Sequence, residues 1–520
     1  MYLGIDLGTS SVKAVIVDEH EAVIAQASAP LAVSRPQPLF SEQDANDWWR
    51  AALESMLRLP AAARARVRGI GLSGQMHGAT LLDRTDAPLR PAILWNDGRS
   101  AAECLELEQR EPRARAITGN IMMPGFTAPK LAWVARHEPE LFARTTMVLL
   151  PKDFLRLKLT GERVSDMSDA SGTGWLDVAR RDWSDAMLSA SGLSRANMPR
   201  LVEGTAVSGQ LTAAVAEQVG MNRVPVAGGA GDNAASAVGM GIIAPGQAFL
   251  SLGTSGVLFA VTDRFRPNPE RAAHAFCHAI PQRWHQMAVL LSAASALDWV
   301  AQLVGVTDLA RLVESAQARG LRRDSPYFLP YLSGERTPHN EPRARGVFFG
   351  LTHETGPPDL VAAVLEGVAL AFADGQDVLL ESGGVIDEIS MTGGGARLGY
   401  WGQLLAAALN QPLTYRAGSE IGAALGAARL GRIATTGEPA ATVCRLPPIV
   451  RVIAPDPQLA ALLAQRRGHF QQLYRDLRNL FQESATLVSS LVSNPSATRA
   501  PPPTTSSPTA STTRIARCWA

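Results

Sequence analysis

A chain of 520 residues, 46% hydrophobic and 19% charged, can bury an extensive core and needs no disulfide or metal staple to fold. Its 49 Lys and Arg against 48 Asp and Glu leave a formal charge of +1, which gives no global field for nucleic acid or an anionic membrane, so any anionic ligand must be held locally. Cys104, Cys277, Cys444 and Cys518 are far apart and form no C-x-x-C pair, which excludes a zinc ribbon or disulfide framework and fits a reducing cytoplasm.

The N-terminus runs straight into the strand-like MYLGIDLG, with no basic segment ahead of a long apolar core. Asp298 interrupts the most apolar later stretch, 287–304, so neither a signal peptide nor a membrane span is expected. Residues 2–6, 10–17 and 22–28 alternate or run apolar and β-branched around DEHE at 18–21, which predicts an opening β-meander. Within it, Gly8, Thr9, Ser10 and Ser11, followed by Lys13, form a tight turn whose N–H groups and hydroxyls can cradle phosphate oxygens. Asp6, just before the turn, is placed to hold a hydrated Mg²⁺. A plain hairpin turn explains the same residues if the turn stands alone.

A helix is expected over 44–59, then a strand over 69–73 that leads into Gly74-Gln75-Met76-His77-Gly78. Gln75, Met76 and His77 could read the hydroxyls of a small polyol, with Asn96, Asp97 and Arg99 of WNDGRS adding donors and acceptors. A lone histidine in such a place also serves readily as a structural residue. Further on, Val224 to Ala227 reads as a strand, followed by the glycine loop Gly228 to Gly231 and a small-residue helix that starts at or next to Asp232 and Asn233. Gly229-x-Gly231-x-x-Ala234 matches a loose dinucleotide fingerprint. That reading fails because Asp232 would occupy the place of the pyrophosphate and no acidic ribose ligand follows about twenty residues on. Asp232 is either a helix N-cap or a carboxylate able to accept a proton from a substrate hydroxyl.

The opening then recurs. IDLGTSSVKAVIVD at 5–18 aligns without gaps on LSLGTSGVLFAVTD at 250–263, pairing Gly8 with Gly253, Thr9 with Thr254 and Ser10 with Ser255, while Ser251 stands where the first copy has Asp6. This predicts an α/β chain of two similar domains facing each other across a cleft, with one metal between two phosphate-gripping turns. The cluster His274, Cys277, His278, His285 matches no zinc spacing and is expected to be core or interface side chains. Ile389 to Thr392 reads as a strand entering Gly393-Gly394-Gly395-Ala396, bare backbone against which an adenosine could press, before the helical WGQLLAAAL. No P-loop motif is present. From about Glu483 the chain becomes Ser/Thr/Pro/Ala-rich and is expected to be a disordered tail.

With these residues assembled, the sequence resembles the FGGY carbohydrate kinases over roughly 1–481. GFTAPKLAWVARH at 125–137, and GVFFGL at 346–351 followed by Asp359-Leu360 and Ala363-Val-Leu-Glu366, match the family's diagnostic patterns. The resemblance implies two actin-like (ribonuclease H-like) domains, 1–244 and 245–482, with ATP and Mg²⁺ between them and the tail at 483–520. It implies Asp232 as proton acceptor, and Asp6 with Asp232 near the metal, partly through water. Gly8 to Ser11 and Gly253 to Gly256 would be phosphate loops, and Gly393 to Ala396 the adenosine loop. Met76 and His77 would contact the sugar, with QMHG and WNDGR resembling the subgroup that phosphorylates D-xylulose and not glycerol kinases. Small molecules are the expected partners, a homodimer being compatible. Leu398 and Ala407 depart from the small polar residue and the Asp that relatives carry there.

Overall fold

The computed structural model describes residues 1–418 and 422–492. Strands β1 (Tyr2–Leu7), β2 (Ser11–Val17) and β3 (Val23–Pro30) form the expected antiparallel meander. β4 (Gly69–Gly74) lies parallel to β1, and β5 (Val207–Gln210), β6 (Pro225–Ala227) and β7 (Ala230–Gly231) complete a seven-stranded sheet of order β5-β6-β4-β1-β2-β3, with β7 also on β4. Leu3, Ile5, Leu7, Ile70 and Leu72 are fully buried, as strands covered on both faces require. Helix α1 (Ala45–Leu57) starts where Asp44 caps it by accepting the Asn46 N–H at 2.9 Å, and buries Trp48, Ala51, Ala52, Ser55 and Met56, a stripe at helical spacing.

The second half repeats the plan. β8 (Gly246–Leu252), β9 (Gly256–Thr262), β10 (His274–Cys277), β11 (Trp284–Leu290), β12 (Ile386–Thr392), β13 (Leu413–Arg416) and β14 (Ile449–Ile453) form a sheet of order β10-β11-β9-β8-β12-β13-β14. β8 pairs antiparallel with β9 and parallel with β12, as β1 pairs with β2 and β4. The duplication legible in fourteen residues thus extends to the sheet. Helix α2 (Pro357–Glu381) is apolar around most of its circumference and buries Val361, Leu365, Val368 and Phe372 completely, each worth about 1.5–3 kcal/mol of transfer free energy.

Two helices join the lobes. α3 (Asp232–Gly239) follows β7, and α4 (Gly422–Thr436), although late in the chain, crosses α3 and packs on β1 and β4 of the first sheet. The approach is close: a Cβ at Gly71 would lie 1.7 Å from the Ala427 carbonyl oxygen, so only glycine fits. Arg429 of α4, 3% exposed, donates to Val238 O at 2.8 Å, to Gly239 O at 3.1 Å and to both Glu21 carboxylate oxygens at 2.7 Å. It ties the last carbonyls of α3 to the β2–β3 turn. A division of the chain at 244/245 therefore separates the sheets but not this helix.

Helix α5 (Pro457–Val492) closes the second lobe with Leu463, Phe470, Tyr474 and Phe481 in its core. Its backbone continues through 483–492, beyond the expected start of a structureless tail, because ESATLVSSLV contains neither Pro nor Gly and the next proline is Pro495. The expected tail from 493 onward lies outside the described residues.

Candidate active site

Asp6 stands near the carboxyl end of β1, opposite Lys13 on β2 and beside Ser73 on β4. β7 pairs with β4 at Ala230↔Ser73 and Gly231↔Gly74, so Asp232, the next residue, emerges near Asp6. Burial pushes both carboxyls above the usual range. For Asp6 the Ser73 hydroxyl and the Lys13 charge act against it; Asp232 is raised to about 6 by burial and by the Asp6 charge. Among the described residues Asp6 Oδ1 is buried without a hydrogen-bond partner, an uncompensated site suited to a cation. Gly231, not Asp232, is the N-cap of α3. Asp232 Oδ1 accepts from the N–H and Nδ2 of Asn233 at 2.7 and 3.0 Å, so the capping alternative does not describe this residue.

Beneath this pair lies a fully buried ionic cluster that the sequence did not reveal. Lys152 Nζ pairs with Asp166 Oδ1 at 2.9 Å, Asp169 Oδ2 at 3.4 Å and Asp153. Burial opposes the Lys152 ammonium, yet these three carboxylates hold its pKa above the ordinary value, while burial drives Asp169 well above its own. Ser168 Oγ accepts the Gly231 N–H at 3.2 Å and donates to Asp166 Oδ2 at 2.5 Å, which fixes the peptide before Asp232.

The first turn is braced from behind. Gly8 N–H donates to Ser11 O at 3.0 Å. Thr9 Oγ1 donates to Gln75 Oε1 and accepts from Trp95 Nε1, each at 3.0 Å, and Gln43 Nε2 donates to Thr9 O at 2.7 Å. In the second turn, Ala293 and Ala294 N–H groups donate to Thr254 O and Gly253 O at 3.0 and 2.8 Å, and Thr254 and Ser255 are exposed. Next to it the register Ser251↔Thr392 brings the glycine loop alongside. Gly393 has φ 92°, and a Cβ there would meet the Leu252 backbone at 2.7 Å, so the loop lies flat on β8. A cavity of about 690 Å³ opens here, lined from the first lobe by Asn233 and Ser236 and from the second by Ser251, Gly393, Gly394 and Ala396, with Arg397, Tyr415, Arg416 and Arg451 beyond. Leu398 and Ala407 do not line it; Ala407 faces a separate cavity near Arg467.

On the other side of Asp232, Met76 packs on Gly231 and His77 follows it with φ 69°. Lys130 Nζ and Thr127 Oγ1 donate to His77 O at 2.9 and 3.1 Å and hold this conformation. His77 Nδ1 lies 2.6 Å from Gly172 O, a carbonyl that can only accept, so Nδ1 carries the proton and Nε2 is an acceptor. Burial, with the Lys130 charge, pushes the imidazole down to about 3 and keeps it neutral. Its ring stacks on Phe126 at 5.0 Å.

The structure thus sets Asp6 near Asp232, Met76 and His77 on the Gly231 side of it, and Asn233 on the cavity that Ser251 and the glycine loop line. Four residues expected to contact the sugar make other contacts or line another cavity. Gln75, 2% exposed, bonds Thr9 and donates to Gln43 Oε1 at 3.0 Å. Asp97 accepts from Arg99 Nε and NH2 at 2.9 and 2.7 Å and from Ser41 N–H at 2.6 Å, and Arg99 also pairs with Glu42 at 2.7 Å. Asn96 lines a different surface cavity with Pro36 and Leu39. The histidine cluster is buried; His274 Nδ1 meets Asn120 Oδ1 at 2.9 Å, and Cys104, Cys277 and Cys444 are buried and unpaired.

Two family models cover this architecture: the FGGY family of carbohydrate kinases, N-terminal domain, over 1–239, and its C-terminal domain over 248–435. The chain is 55% identical to the xylulose kinase of Escherichia coli (strain K12) over 480 residues, 92% of this chain and 99% of that protein. It is similar to the crystal structure of a xylulose kinase from Brucella ovis, with TM-score 0.89, 51% identity and coverage of 92% and 99% of the two chains. The xylulose kinase from Rhodospirillum rubrum gives TM-score 0.87 at 30% identity over the same shares.

Proposed function

The chain belongs to the FGGY family of carbohydrate kinases, and within that family we propose that it transfers the γ-phosphoryl group of ATP to the 5-hydroxyl of D-xylulose. The observation that supports this reading is the position of Asp232 close to Asp6, with Asn233 on a nucleotide-sized cavity to one side and Met76 against Gly231 on the other. Asp232 accepts the hydroxyl proton as the O5–phosphorus bond forms. The bond from the γ-phosphorus to the β,γ-bridging oxygen breaks, and ADP leaves with its electron pair. N–H groups of Thr9 to Ser11 and Gly253 to Ser255 offset the negative charge on the phosphates, and His77 Nε2 accepts from a sugar hydroxyl. The residues fit Mg²⁺: the orphaned Asp6 oxygen and Asp232 would hold it, and when bound it supplies charge neutralisation to the phosphates. Buried, unpaired cysteines suit a cytoplasmic setting, and no described helix is long and apolar enough to cross a membrane.

The test is ADP release in a coupled assay across pentuloses, hexuloses and glycerol. D-Xylulose is expected to give the highest kcat/KM, with little ADP formed without sugar. Preference for glycerol or a hexulose would count against the reading.

A further inference from the structure

Arg336 has no role in the site described so far. Its NH1 lies 3.2 Å from His274 Nε2. The direction of this bond is fixed from behind: Asn120 Nδ2 donates to Thr118 O at 2.7 Å and Ala275 O at 3.2 Å, so Asn120 Oδ1 accepts from His274 Nδ1–H. His274 Nε2 is therefore an acceptor for the guanidinium. The only charged neighbour to raise the Arg336 pKa among the described residues is Glu335, whose Oε1 accepts the Leu291 and Arg336 N–H groups at 2.9 and 2.7 Å and is not directed at the guanidinium. Burial pushes Glu335 up to about 8, so at neutral pH it supplies little negative charge. Among the described residues Arg336 Nε and NH2 have no hydrogen-bond partner, and the side chain is half-buried. A half-buried guanidinium with two donors unused by the described residues can donate to oxygen acceptors.

Its position says which acceptors. From Asp232 the contacts run through Gly231 to Met76 and His77, from the His77 ring to Phe126 at 5.0 Å, from Phe126 to His274 at 5.7 Å, and from His274 to Arg336. Arg336 also acts electrostatically on His77. A line of packed side chains, Met76, His77, Phe126 and His274, thus leads from Asp232 in the first lobe to Arg336 in the second.

We infer that Arg336 binds the end of the sugar distant from the transferred hydroxyl, donating to the carbonyl and adjacent hydroxyl oxygens of a ketose, and that His274 is its positioning residue. This rests on the proposed ketose kinase reading. A carbonyl oxygen only accepts and Arg only donates, so the match favours a ketose over the alditol of the same skeleton, whose hydroxyl brings a proton that needs its own acceptor.

The experiment compares Arg336→Gln, Arg336→Lys and His274→Phe with the parent on D-xylulose and on its reduced counterparts xylitol and D-arabinitol, with thermal melts of each. For Arg336→Gln the KM for D-xylulose should rise about 10- to 100-fold with the KM for ATP unchanged, and the ketose-over-alditol ratio of kcat/KM should fall at least about fivefold. Arg336→Lys keeps the charge but loses the paired donors and should show the same fall in ratio, which decides the matter if the Gln variant folds poorly. His274→Phe keeps the aromatic stack and should give a smaller shift in the same ratio. A ratio unchanged in folded Arg336 variants overturns the inference and leaves the functional reading standing. A parent inactive on D-xylulose overturns both.

Discussion

The two strand–turn–strand units, 5–18 and 250–263, share a backbone and a Gly-Thr-Ser turn but differ at one decisive position. In the first, Asp6 projects beside Asp232 with an unsatisfied oxygen; in the second, Ser251 lines the 690 Å³ cavity beside the glycine loop. On the proposed reading the two turns are phosphate grips with different work: cation and chemistry in the first lobe, nucleotide in the second. The surroundings reinforce the split. The first turn is locked by Gln75, Gln43 and Trp95, whereas the second is tied by its own carbonyls to the following helix, Ala294–Leu303, leaving Thr254 and Ser255 exposed.

The strongest challenge to that division is Asp232→Asn. It preserves size and the contacts to Asn233 except for charge, so the melt should match the parent while turnover falls roughly 10²–10⁴-fold. Activity within a few-fold, measured as xylulose-dependent ADP at saturating substrates, would remove the first lobe's claim to the chemistry. Next comes Asp6→Ser, which rewrites the first copy as the second. Loss of the cation-holding carboxylate should cost about 10²–10³-fold in kcat with sugar affinity retained.

The pH dependence sharpens the same contrast. Asp232 must be ionised to accept a proton, so kcat/KM should be lost as pH falls through about 6 and be fully present above it. A bound divalent cation moves that limb lower. Because the Asp6 charge helps raise the Asp232 pKa, the residual activity of Asp6→Ser should carry an acid limb at lower pH than the cation-free parent. A limb that stays fixed would mean the two carboxyls do not sense each other.

Local turn chemistry was legible before folding. The meander, the helix after Asp44, the duplicated turn and the glycine loop all depend on residues adjacent in sequence, and the structure places them as expected. What escaped were groups assembled from distant segments. Gln75, Asp97 and Arg99 look like free polar groups in sequence, but Gln43, Ser41 and Glu42, thirty or more residues away, pair with them and leave only Arg99 NH1 among the guanidinium nitrogens without a partner among the described residues. The Lys152–Asp166–Asp169 cluster and the His274–Arg336 pair have no local pattern at all. The return of α4 to the first sheet is signalled only by small residues, GAALGAARLG, which suit many close packings.

The smallest effect, and the finest test of the asymmetry, belongs to the reciprocal change, Ser251→Asp. The new carboxylate would enter the nucleotide cavity near Thr392 and Gly393. Against phosphates about 8 Å away at an effective dielectric near 20, repulsion is on the order of 2 kcal/mol per unit charge before screening. Arg397, Arg416 and Arg451 around the same cavity offset part of it. The KM for ATP should therefore rise about 3- to 10-fold, shrink toward parent at high salt, and leave kcat and the KM for sugar unchanged, because Asp6, Asp232 and His77 are untouched. The opposite result is equally readable. A lower KM for ATP that depends on added Mg²⁺ would mean that Asp at either copy can recruit a cation, and that the turn itself, not the identity of residue 251, defines the metal position.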